Sequence, residues 1–82
     1  MHFLLSYDLV TPGRDYSRLL DTLHSFGAVR VLASQWTFTR YQTDAAGLTR
    51  YFRQFIDTND RLLVVELTGG VSAYNLINEI AA

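Results

Sequence analysis

Apolar and polar residues alternate from the start of the chain. Phe3, Leu5 and Tyr7 fall on one face of an extended segment and Leu4, Ser6 and Asp8 on the other, because successive side chains of a strand point to opposite sides. The pattern predicts a strand over Phe3 to Leu9, broken by Thr11-Pro12-Gly13. Tyr16, Leu19, Leu20, Leu23 and Phe26 then recur at the spacing of one helix face. Asp15 is placed in the first turn of that helix and Gly27 just past its end. Between Val29 and Arg40 the apolar positions switch from odd to even numbers near Ala33-Ser34. Twelve extended residues exceed a usual strand, so the segment reads as two short strands joined by a tight turn or a bulge. Thr43-Asp44 are N-cap candidates for a second helix striped by Leu48, Tyr51, Phe52, Phe55 and Ile56. Asp57-Thr58-Asn59-Asp60 ends it, and Arg61 to Thr68 reads as a strand apolar on both faces apart from Glu66. Past Gly69-Gly70, the tail Ser72 to Ala82 spaces Tyr74, Leu76, Ile77 and Ile80 like a short helix. Such a piece holds its shape only when docked, on its own domain or on a partner.

The predicted order is strand, helix, strand, strand, helix, strand. That order is the α+β, ferredoxin-like βαββαβ plan, an antiparallel sheet with two helices on one face, followed here by a short C-terminal segment. It carries a consequence. Helices cover one face of the sheet, yet the first and last strands are apolar on both. Leu4, with either Leu62 and Val64 or Leu63 and Val65, is expected to face water. A contiguous apolar patch of this kind marks an interaction surface, and a two-fold homodimer is its simplest cover.

Composition sharpens this picture. Eighty-two residues make a single domain, 1–82, with residues 70–82 as its tail. A chain of this length buries only about 60% of the surface it exposes when unfolded. Half of its residues, 49%, are hydrophobic, which favours covering the excess by association. With no cysteine, disulfides and thiolate metal sites are excluded. No apolar run approaches the ~18 residues of a membrane span, and no signal-peptide pattern is present, so the expectation is a cytoplasmic protein without a membrane partner. The net charge of −1 argues against strong non-specific nucleic-acid binding. All seven basic residues are arginine, which can fork phosphate oxygens.

Asp8 is the chemical candidate. A carboxylate at the end of a central strand is held rigidly and still reaches solvent, the position where many α/β folds place reactive groups. Aspartate is also common at strand ends as an acceptor of turn hydrogen bonds, so a structural and a functional role both stand. Trp36 and Phe38 sit where core packing or a dimer contact outweighs base stacking. Gly69-Gly70 lacks the lysine and helix of a phosphate loop.

Leu5-Ser6-Tyr7-Asp8-Leu9, a following helix, and then Gly27-Ala28-Val29-Arg30-Val31-Leu32-Ala33-Ser34-Gln35-Trp36 resemble the CRISPR-associated protein two (Cas-two) family and its virulence-associated-protein-D-like relatives. The resemblance spans about Phe3 to Leu67. It departs from the family pattern at Leu32, at Thr37 and in the Thr11 to Ser17 segment. It implies a ferredoxin-like homodimer that is either a metal-dependent endoribonuclease acting on nucleic acid or a non-catalytic scaffold, of integrase or toxin–antitoxin type. It implies Asp8 as catalytic and metal-binding carboxylate, with Tyr7, Arg14, Arg18, Arg30 and Ser34 nearby for nucleic acid. Magnesium is the implied cofactor. It is usually held through one or two carboxylates plus phosphates, so two Asp8 residues meeting across a dimer axis are expected to supply the pair. A protein partner is expected at a sheet edge or on the tail.

Overall fold

The computed structural model describes residues 1–80. Strand β1 (His2–Asp8) is central, and the element order continues α1 (Ser17–Ser25), β2 (Val29–Leu32), β3 (Gln35–Thr39), α2 (Ala45–Phe52), a single 3-10 turn (Arg53–Phe55) and β4 (Arg61–Leu67). The four strands form one sheet in the order β2-β3-β1-β4, and every neighbouring pair is antiparallel. Both long connections are therefore split. The β1–α1–β2 unit leaves β3 between its strands, and β3–α2–β4 leaves β1 between its own.

Side-chain alternation decides which face the helices cover. Phe3 and Leu5 of β1 and Trp36 and Phe38 of β3 lie in one buried cluster with Leu19 and Leu23 of α1 and with Leu48, Phe52 and Phe55. Leu62 and Val64 pack against this cluster, whereas Leu63 and Val65, one step out of phase, remain exposed at 59% and 38%. Trp36 and Phe38 are thus core residues, and the ring of Trp36 meets His24 edge-on at 5.3 Å.

The punctuation of the chain is chemical. Asp44 caps α2, its carboxylate accepting from the Gly47 N–H at 2.7 Å. Gly27 ends α1 with φ +70, the left-handed geometry that side chains resist. The β2–β3 hairpin turns at Ala33-Ser34 without glycine; Arg30 braces it by donating from Nε and Nη2 to the Ala33 carbonyl at 3.0 and 2.6 Å. A register shift between Arg30 and Leu32 accounts for the change of apolar phase there. Two expectations are corrected. Asp15 lies ahead of α1, accepting from the Ser17 N–H at 2.9 Å, because Tyr16 is drawn out of the helix by its bond to Asp60.

The second correction is the tail, which forms no helix within residues 71–80. β4 and β2 are opposite edges of the sheet. The chain leaves β4 at Leu67, and ten residues later the Ile77 N–H donates to the Val31 carbonyl on β2 at 2.9 Å. At the β2 edge Asn78 borders a cavity with Leu20, His24 and Trp36. On the face away from the helices Thr37 is only 1% exposed and Leu4, expected to face open water, is half-buried, which points to the crossing segment as their cover. Residues 81 and 82 of the tail lie outside the described residues.

Candidate functional site

The end of β1 builds the site. Asp8 is its last residue, and in the antiparallel ladder it stands directly across from Arg61, the first residue of β4. The guanidinium Nη1 donates to Asp8 Oδ2 at 3.2 Å, with both side chains well exposed. Such a pair contributes about 0–1 kcal/mol, so it orients the two groups more than it stabilises the fold. Ser6, Tyr7, Asp8, Ser34, Gln35, Arg61, Leu62 and Leu63 line a shallow groove of about 340 Å³ around it. The Tyr7 N–H donates to the Ser34 carbonyl at 3.1 Å, and the Tyr7 hydroxyl accepts from Trp36 Nε1 at 3.1 Å, which fixes the groove's floor to the core.

Of the residues singled out from sequence, Asp8, Tyr7 and Ser34 meet in this groove, and the three arginines do not line it. Arg14 lies over the Tyr16 ring at 5.8 Å and Arg18 over the Phe55 ring at 5.3 Å. Arg30 is spent on the Ala33 carbonyl of the turn that carries Ser34. Arg61 was missed, although its place follows once β1 and β4 are taken as antiparallel neighbours.

Asp60, beside Arg61, is the second carboxylate at this end of the sheet. Its Oδ1 accepts from the Val10 N–H at 2.8 Å and the Thr11 hydroxyl at 3.3 Å, and its Oδ2 from the Tyr16 hydroxyl at 2.7 Å and the Asp57 N–H at 2.8 Å. Loss of solvent opposes its charge, but these four donors outweigh that effect and hold the carboxyl down to about 2. Loss of solvent, followed by the bond to Asp60, pushes the Tyr16 phenol above its ordinary value. A carboxylate has about four lone-pair positions, so Asp60 has none left for a ligand.

This decides how well one chain suits magnesium. The cation takes hard oxygens from one or two carboxylates. Asp8 is held by a guanidinium, Asp60 is filled, and among the described residues no three of His, Asp and Glu cluster. A single chain thus offers the ion at most the Asp8 carboxylate in this groove, and the remaining ligands would have to come from a second Asp8 or from phosphate. Among the described residues, no helix is long and apolar enough to cross a membrane. No family model matches the chain.

Proposed function

We propose that this chain is a ferredoxin-like, Cas-two-type homodimer that serves as a non-catalytic binding and assembly module for nucleic-acid-handling partners. The split crossovers and the order β2-β3-β1-β4 support the ferredoxin-like assignment. The observation that carries the functional reading is the pairing of Asp8 with Arg61 at the rim of an apolar strip formed by Leu63 and Val65. A face that offers one carboxylate and one guanidinium in register is self-complementary under a two-fold axis: each Asp8 can exchange its own Arg61 for that of a second copy. Affinity for nucleic acid would come from arginines left without acidic partners. Among the described residues the sole ion pair is Arg61–Asp8; Arg50 and Arg53 are exposed, whereas Arg40 lies over the Phe26 ring at 4.0 Å.

The competing endoribonuclease reading needs both Asp8 carboxylates to leave their arginines and converge on one cation. A cleavage assay on single- and double-stranded RNA and DNA, with and without magnesium, separates the two. The wild type and Asp8→Ala are expected to show the same background. Magnesium-dependent cutting that Asp8→Ala abolishes would overturn the non-catalytic reading.

A further inference from the structure

The C-terminal segment lies across the face through which the proposed dimer forms, and it is weakly tied there. Two hydrogen bonds fix it to β2: the Ile77 N–H to the Val31 carbonyl and Asn78 Nδ2 to the Arg30 carbonyl, both 2.9 Å. Beneath it, the Thr37 hydroxyl is fully buried with no partner. A buried, unpaired hydroxyl costs free energy that water recovers as soon as the cover lifts. The segment's own apolar side chains gain little: Val71 is 53% exposed, Tyr74 92% and Ile77 58%. Gly69 and Gly70, with no atom within 4 Å of where a side chain would start, join it to β4 without packing. Asn75, at φ +56, bends it with a left-handed residue that asparagine tolerates.

We infer that residues 69–80 are a displaceable strap, which in a lone chain occupies the sheet face that a second copy of the chain takes in the dimer. The strap and the second copy compete for Leu4 and Thr37, while Leu63 and Val65, which the strap leaves exposed, are the part of the face already open to the second copy. This deepens the dimer reading above and rests on it. The strap also shields the outer edge of β2, whose carbonyls would otherwise be open to strand pairing. Association then begins with release of Ile77 and Asn78, and chain concentration sets how much of the population has its face open.

The test is sedimentation equilibrium on the full chain against a double variant, Ile77→Pro with Asn78→Ala. Proline removes the N–H that Val31 accepts, and alanine removes the second donor. Both positions lie outside the core, and circular dichroism checks that the fold is kept. The variant is expected to self-associate at least tenfold more tightly than the wild type. Equal or weaker association overturns the strap alone; no association in either chain overturns the dimer reading and the strap with it. Amide exchange on the wild type gives a reading independent of any variant. Ile77 is expected to lose protection as chain concentration rises and Leu63 and Val65 to gain it, whereas an Ile77 amide whose protection is unchanged through association overturns the strap.

Discussion

Phe52→Ala is expected to cost about 3–5 kcal/mol of folding stability, the range for removing a large aromatic side chain from a close-packed core. Phe52 is fully buried at the junction of α2 and the sheet. Its ring lies 5.2 Å from Phe26, 5.4 Å from Tyr51, 6.1 Å from Phe55 and 6.2 Å from Phe38, so it joins the end of α1, its own helix, the 3-10 turn and β3. Three of these rings meet it tilted or edge-on, and the fourth, Phe38, lies at 43°, arrangements that aromatic quadrupoles favour over a face-to-face stack. Neighbouring rings are too rigid to collapse into the space left behind. Single domains have only about 5–15 kcal/mol in total, and one this small sits toward the low end. Thermal unfolding followed by circular dichroism is therefore expected to shift down by at least about 12 °C, at about 4 °C or more per kcal/mol. A shift of only a degree or two would mean that the aromatic cluster is not the centre of the core.

The second large effect is expected at Asp60. Its folded-state carboxyl is depressed to about 2 from an ordinary value of about 3.9. A depressed acid contributes stability that is fully present above the unfolded value and is lost as pH falls through the folded one. The wild type is thus expected to lose stability between about pH 4 and about pH 2 as Asp60 takes up its proton. Asp60→Asn should already be destabilised at pH 7, because the amide nitrogen turns a donor toward groups that are themselves donors, among them the Val10 and Asp57 N–H. The variant should also show a flatter decline over the acid window. Urea unfolding midpoints at pH 7, 4 and 2.5 measure both effects. Identical pH profiles for the two proteins would show that Asp60 does not pin residues 10–16 to the start of β4. Asp15, lowered first by the backbone hydrogen bond from Ser17, remains in both proteins and adds a slope of the same sign to each.

Much of the fold was legible because local rules and tertiary packing agree. The helix stripe ending at Phe26 was readable from spacing, and so was the second down to Phe55, although α2 gives way to a 3-10 turn after Phe52 and Ile56, counted in the stripe, is extended. The stop at Gly27 and the cap at Asp44 were readable from turn and capping chemistry. The hairpin at Ala33-Ser34 could be placed only from the phase switch, since no turn residue marks it. What sequence left open was decided by long-range partners. β4 is apolar on both faces, so only its register against β1 selects Leu62 and Val64 for the core. The tail has helical spacing, but a dozen residues hold no helix unaided, and the free edge of β2 captured Ile77 instead. Tyr16 carries helix periodicity and yet is claimed by Asp60, 44 residues away.

The candidate site was half legible. Asp8 could be found from its place at the end of a strand, and Tyr7 and Ser34 join it because β1 and β3 are neighbours. Arg61 is invisible to local reading, since its role exists only through the β1–β4 ladder. Arg14, Arg18 and Arg30 look like phosphate ligands in a list of residues. In the fold, two lie over aromatic rings and the third braces a turn, contacts that composition does not reveal.

The most direct measurement is sedimentation equilibrium of the wild type against Leu63→Glu. Leu63 is exposed on the face away from the helices, so a carboxylate there is tolerated by one chain and buried unpaired only if a second chain covers it. The account expects the wild type to reach the mass of two chains as concentration rises, and Leu63→Glu to weaken that association at least tenfold with its thermal unfolding little changed. A wild type that stays at the mass of one chain throughout, or a variant that associates just as tightly, would contradict it.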